Sequence, residues 1–248
     1  MTAGATPSDH EIAAALAAAA GEHLLEVRRC GLTGADLKAA GDGWSHDFLV
    51  RALKEARPDD AVLSEEGVDD AARLDHHRVW IVDPLDGTRE FSEPARIDWA
   101  VHVALAVDAQ VVVGAVALPA LGVTLSTATP PTLPPVPSRP PRILVSRTRP
   151  TEHARLLAEK MDGELVAMGS AGAKAMAVVR GDADVYAHSG GQYEWDSAAP
   201  VAVARAAGLH VSRLDGGPLR YNQPNPWLPD LLVCRPEHAA AVIALGLA

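Results

Sequence analysis

Apolar residues recur along the 248-residue chain in two rhythms. The first, one apolar position every three to four residues, predicts helices. It runs from about 8 to 30 in an alanine-rich segment, where Ser8 or Asp9 serves as the cap. It recurs near 45 to 57, in TEHARLLAEKM, in GSAGAKAMAVVRG, in DSAAPVAVARAAG (stopped by Gly208) and in a short tail. The second rhythm is a set of dense apolar runs that predict strands: AVLSEE, VWIVD, RILVS, DADVYAH and LLVCR. WAVHVALAVD and VVVGAVALP are predicted to pair as a hairpin turning at Asp108-Ala109-Gln110.

Strands and helices interleave on both sides of TPPTLPPVPSRPPR, residues 129 to 142. Proline fixes φ and removes amide donors, so this segment is expected to be a stiff, extended connector. It divides the chain into an α+β region (1–128), the connector (129–142) and an α/β region (143–248). The expected class is a layered α/β (α+β) architecture.

Composition narrows the partners. A formal net charge of -10 argues against a nucleic-acid polymer, which needs a basic face, but leaves room for a small phosphorylated substrate paired with a cation. Cys30 and Cys234 have no metal-ligand spacing and read as reduced thiols. Asp108, Gln110 and Pro119 interrupt the one long apolar run, so no membrane span is predicted. The N-terminus lacks a basic signal region, and a cytoplasmic location is expected.

The candidate chemistry lies in VWIVDPLDGTREF, residues 79 to 91. Asp83 and Asp86 stand at i and i+3 at the end of an apolar strand, which Pro84 is expected to stop. Two carboxylates that close repel unless a cation lies between them, and a hard ion such as Mg²⁺ prefers oxygen ligands. The plainer alternative is an exposed Asp-Gly turn. Three features weigh against it. Ser64-Glu65-Glu66 ends another strand, Asp196 opens a helix in EWDSAAP, and Gly87-Thr88 offers a hydroxyl and amides suited to phosphate. An EF-hand is excluded by Pro84 and Leu85, and the acid spacing excludes Asp-x-Asp-Gly-Thr. GxxxxGK[ST] and GxSxG are absent, and His76-His77 reads as solvated surface.

WIVDPLDGTREF and WDSAAPVAVARAAG resemble the paired signatures of the inositol monophosphatase-like superfamily, with SEE and GSAGAKAMAVVRGDADVY in the expected order. Within it the chain most resembles the bacterial 3′-phosphoadenosine 5′-phosphate phosphatases. The resemblance implies an αβαβα sandwich, two or three Mg²⁺ ions, Li⁺ sensitivity, a homodimer and a place in sulfate assimilation. By motif, Glu65, Asp83, the Leu85 carbonyl, Asp86 and Asp196 would bind metal. Thr88 with Asp47 would activate the attacking water, and the Gly87 and Thr88 amides would hold phosphate. The family's V-T-x-x-D pattern is broken here, since Trp44 stands three residues before Asp47.

The implied reaction is hydrolysis of a phosphomonoester by metal-activated water. Substrate contacts are expected from Ser170, Ala171 and Tyr193, with Lys174 and Arg220 candidates for a second phosphate. Ser189 stands seven residues before Asp196, where inositol-selective relatives carry Glu, which disfavours inositol phosphate and favours a bisphosphate nucleotide. Inositol 1-phosphate and fructose 1,6-bisphosphate remain alternative substrates. A non-catalytic metal- and phosphate-binding protein is the alternative of another class.

Overall fold

The computed structural model describes residues 6–148 and 150–246. Two long helices, α1 (Asp9–Arg29) and α2 (Gly34–Ala56), lie side by side. Ser8 and Glu11 cap the first reciprocally, satisfying amides that the helix start leaves open. Both helices cover one face of a five-stranded sheet that runs in sequence order: β1 (Ala61–Ser64), β2 (Arg78–Asp86), β3 (Ala100–Val107), β4 (Gln110–Leu118) and β5 (Val123–Ser126). A one-turn helix, α3 (Thr88–Ser92), follows β2 directly.

The second sheet contains β6 (Arg142–Ser146), β7 (Glu164–Met168), β8 (Val185–Tyr193), β9 (His210–Ser212) and β10 (Trp227–Cys234), in the order β7-β6-β8-β10-β9. Helices α5 (Ala171–Arg180) and α6 (Glu194–Ala206) lie between the sheets, while α4 (Glu152–Met161) and α7 (Pro236–Leu245) cover the outer face of the second. The result is an αβαβα sandwich with a core at each level. Trp80, Val82, Val101, Val103 and Leu105 face α1 and α2. The alternate residues Val79, Ile81, Ala100, Ala104 and Ala106 face α5 and α6, as the two-residue period of a strand requires.

Three differences from the sequence expectation bear on the site. Helix α2 begins at Gly34, eleven residues before the expected start near 45. Its buried stripe is Leu37, Gly41, Ser45, Leu49 and Leu53, an unbroken i+4 series in which glycine and serine hide the apolar period. Pro84 does not end β2. Pairing with β3 lapses between Asp83 and Asp86 and then resumes opposite Ala100, so the strand carries a bulge. The short strands β5, β7 and β9 were not evident as apolar runs; β7 alternates through exposed and half-buried residues.

The connector has no helix or strand before β6 takes its last residue, Arg142. It is tied down along its length. Arg139 pairs with Asp184, and the Pro134 carbonyl accepts from Arg235. Among the described residues no helix is long and apolar enough to cross a membrane.

Candidate active site

The bulge in β2 brings its two aspartates to one point. Asp83 continues the Val79–Ile81 face toward α5 and α6, and the one extra residue of the bulge, where Pro84 and Leu85 together stand opposite Val101, swings Asp86 back to the same side. Helix α2 fastens the bulge from behind. Ser45 donates to the Pro84 carbonyl at 2.7 Å, and Gly41 lies so close that a Cβ there would stand 2.8 Å from Phe91 and 2.9 Å from Leu85. Gly87 turns the chain into α3 with φ +85°, and a Cβ on it would meet Ser170 at 3.0 Å. A side chain is therefore disfavoured by the backbone conformation and crowded by Ser170.

Asp196 completes the group from the first turn of α6, where it accepts from the Tyr193 amide at 2.6 Å. Carboxylate oxygens of Asp83, Asp86 and Asp196 all lie within 4.8 Å of one another. Glu65 stands at the rim just beyond β1, and its carboxyl and that of Asp83 each shift the other's titration. Burial first, then Glu65, Asp86 and Asp196, pushes Asp83 well above the carboxylate range. Burial and Asp86 push Asp196 up to about 6, and burial, with Asp196, Asp86 and Glu66 nearby, pushes Glu65 up to about 7. Asp86 behaves oppositely. Burial is outweighed by His102, the Ser170 hydroxyl and the Gly172 amide, which hold it down to about 2. One fixed carboxylate surrounded by three that resist ionising is an electrostatic arrangement that a bound divalent cation relieves. An all-oxygen donor set fits a hard ion such as Mg²⁺.

Thr88 stands beside this cluster. Its hydroxyl lies 3.2 Å from the Leu85 carbonyl and 3.4 Å from Asp42 Oδ1. The carboxylate facing Thr88 is thus Asp42, and the expectation for Asp47 is corrected. Asp47 is exposed on α2, five residues and nearly half a turn of azimuth away from Asp42. Burial, with Glu66 nearby, pushes Asp42 up to about 6. Gly41 and Gly43 flank Asp42 and resemble a turn, which hides in the sequence the helix that carries it. Leu37, Leu49 and Leu53, spaced at multiples of four, are the visible trace of that helix.

The expected substrate contacts divide. Ser170 turns its hydroxyl onto Asp86 and caps α5 at Ala173, and the Ala171 amide donates to Asp86 Oδ1 at 3.1 Å. Both residues therefore hold Asp86 in place. Lys174 is buried behind them, its Nζ 2.7 Å from the Ser170 carbonyl and 5.2 Å from the Tyr186 ring centre. It lines two adjoining cavities. One, of about 630 Å³, is walled by Arg89, Arg147, Thr148 and Ser170. The other, of about 320 Å³, is walled by Asp196, Tyr193, Trp227, His188 and Gln192. Tyr193 is exposed and stacks on Trp195, ring centres 4.8 Å apart. Arg220 is not brought here and the expectation for it is corrected. The next residue, Tyr221, donates its amide to Ala109 at the tip of the β3–β4 hairpin, the far end of β3 from the acids.

His102 was not singled out in the sequence, where it is one polar residue in an apolar strand. It is fully buried opposite Asp83. Nδ1 bonds the Trp195 carbonyl at 3.0 Å, and Nε2 lies 3.2 Å from Asp86 Oδ2, an ion-pair contact and not a well-aligned hydrogen bond. Burial opposes its charged form, but Asp86 outweighs burial and raises its pKa.

Comparison with known proteins agrees with this geometry. The model of the inositol monophosphatase family matches residues 7–131 and 138–245. A 3′-phosphoadenosine 5′-phosphate phosphatase of Mycobacterium leprae is 51% identical over 97% of this chain and 93% of its own length. The 3′(2′),5′-bisphosphate nucleotidase CysQ of Escherichia coli is 32% identical over 73% of this chain and 78% of its own. The crystal structure of CysQ from Bacteroides thetaiotaomicron superposes with a TM-score of 0.76 at 29% identity, covering 90% of this chain and 96% of that one. With the signatures, the five-layer fold and the acid cluster in agreement, the chain belongs to the inositol monophosphatase family.

Proposed function

We propose that the chain is a Mg²⁺-dependent phosphomonoesterase that hydrolyses 3′-phosphoadenosine 5′-phosphate to AMP and phosphate. The observation that carries this reading is the convergence of Asp83, Asp86 and Asp196 beside a paired Thr88 and Asp42. The names of relatives at 51% and 32% identity support the substrate.

Glu65, Asp83, Asp86, Asp196 and the Leu85 carbonyl would hold the cation, two or three ions by the family resemblance. Bound there, Mg²⁺ would neutralise phosphate oxygens and make water more acidic. The chain's own part is positioning and proton transfer. With its hydrogen directed at Asp42, the Thr88 oxygen has lone pairs free to accept the proton of an attacking water. Asp42, half-buried with its pKa pushed up to about 6, is ionised above that pH and poised to take the proton that Thr88 passes on. Gly87 and Thr88 supply amides at the start of α3 for the phosphate. No covalent intermediate is required, since phosphoryl transfer depends mainly on alignment and charge compensation.

The two cavities suit the rest of a bisphosphate nucleotide. Arg89 and Lys174 face the larger one, where a second phosphate would find positive charge. Tyr193, stacked on Trp195, and Trp227 offer aromatic faces to a base in the smaller one. Li⁺ sensitivity, a homodimer, a cytoplasmic location and a role in sulfate assimilation belong to the same proposal. A binding protein without catalysis would not need the Thr88–Asp42 pair.

Phosphate release from 3′-phosphoadenosine 5′-phosphate, inositol 1-phosphate and fructose 1,6-bisphosphate, with Mg²⁺ and with Li⁺ added, tests the proposal. The expected result is highest kcat/KM on the nucleotide and inhibition by Li⁺. A preference for inositol 1-phosphate would overturn the substrate assignment, and no release from any of the three would favour the binding reading.

A further inference from the structure

One ring touches both aspartates of the β2 bulge and the backbone of α6 next to Asp196. His102 lies across β2 from Asp83, its Nδ1 3.9 Å from Asp83 Oδ2, and its Nε2 lies 3.2 Å from Asp86 Oδ2. Nδ1 also donates to the carbonyl of Trp195, the residue that precedes Asp196 on α6. The fourth side of the ring is the backbone of α5. A Cβ on Gly172 would stand 1.9 Å from Nε2, so the helix reaches the ring only because that residue is glycine.

Packing alone does not explain a histidine here. Its neighbours on the same face of β3 are Ala100 and Ala104, small residues buried in the core that faces α5 and α6. A buried imidazole in an alanine row brings a desolvation penalty that its polar contacts must offset. Those contacts all lie at the metal-ligating group. Asp86 Oδ2 is occupied by the Ser170 hydroxyl, the Gly172 amide at 2.6 Å and the His102 ring, while among the described residues Oδ1 takes only the Ala171 amide. The crowding of Oδ2 leaves Oδ1 as the oxygen with capacity for a further partner.

We propose that His102 is a positioning residue: by bridging Asp86 on the first sheet to the start of α6, it sets the separation of Asp86 and Asp196 and thereby the affinity for the divalent cation. The proposal rests on the reading that these acids hold Mg²⁺. Groups that orient metal-binding carboxylates change metal affinity by about 10- to 100-fold when removed. Trp195 contributes through its backbone, so the ring is the partner that substitution can remove.

The test is Mg²⁺ binding to the purified full chain without substrate, followed by titration calorimetry and by the rise in Tm with added MgCl₂. His102→Leu removes the donor, and His102→Gln retains one. The proposal predicts that His102→Leu weakens Mg²⁺ binding about tenfold or more, with the far-ultraviolet circular dichroism unchanged and KM at saturating Mg²⁺ close to that of the parent. It predicts that His102→Gln recovers most of the affinity. Parent-like Mg²⁺ affinity in His102→Leu overturns it, and so does equal loss in the Leu and Gln variants. If His102→Leu does not fold, Gly172→Ala provides the second test, because the new methyl must push the ring off Asp86. It too must weaken Mg²⁺ binding, and unchanged affinity in a folded Gly172→Ala contradicts the proposal. A parent chain that binds no Mg²⁺ would overturn the metal reading itself, an outcome distinct from either.

Discussion

At Thr88 a single hydroxyl proton has two acceptors, the Leu85 carbonyl at 3.2 Å and Asp42 at 3.4 Å. Only the second can carry the proton away, so Asp42 decides whether the hydroxyl serves as a relay. Asp42→Asn is expected to lower kcat by about 10²- to 10⁴-fold, the usual contribution of a general base. Asp47→Asn is expected to leave kcat unchanged, because Asp47 is exposed and apart from Thr88. Steady-state kinetics of the two variants side by side separate the assignments; equal effects would contradict Asp42. The pH profile carries the same information. Asp42 titrates at about 6 in the cation-free fold, and cations nearby favour its ionised form. The kcat profile should therefore fall on the acid side at or below about pH 6, and Asp42→Asn should remove that limb.

At the scale of elements, the docking of α2 on the bulge of β2 determines where Asp42 and Thr88 meet. Gly41 permits it, with Leu85 and Phe91 inside the space a Cβ would fill. Gly41→Val should destabilise the fold by about 1–3 kcal/mol through overpacking and lower kcat as α2 lifts from Thr88. Urea unfolding and kinetics on the same preparation check both effects. A stable, fully active variant would contradict the close docking. The same interface explains what could be learned from the sequence. The strands delivering Asp83 and Glu65 were legible because they are dense apolar runs ending in acids. The helices carrying Asp196 and Ser170 were legible from their caps and period. The first half of α2 was hidden because Gly41 and Ser45 occupy core positions on their contact with the bulge, not on their own hydrophobicity. The convergence of Asp83 and Asp86 was anticipated, but as a loop. The bulge that achieves it depends on resumed pairing with Ala100, which is distant in sequence. His102 was beyond reach for a related reason, since its meaning lies in the Trp195 carbonyl and in Gly172 on two later helices.

Across the whole molecule, the active site makes folding dependent on pH and cations. Glu65 rises from 4.5 to about 7 and Asp196 from 3.8 to about 6, so between the lower and upper values the folded chain binds more protons than the unfolded one. Stability contributed by these groups is therefore fully present below about pH 4 and is lost as pH rises from there through about 6 to 7. In chelator, Tm should fall over that window. Mg²⁺ binds the ionised form and should raise Tm most above about pH 7, by mass action. A Tm that is independent of Mg²⁺ across the range would contradict the metal-site reading. Such measurements report binding, and hydrolysis at this cluster is read by turnover. The most direct test is release of inorganic phosphate from 3′-phosphoadenosine 5′-phosphate by the parent chain and by Asp83→Asn, at the same limiting Mg²⁺ concentration. We predict turnover by the parent and a loss of about 10²-fold or more in Asp83→Asn with the fold retained. No phosphate release by the parent, or equal rates in the two proteins, would contradict the account.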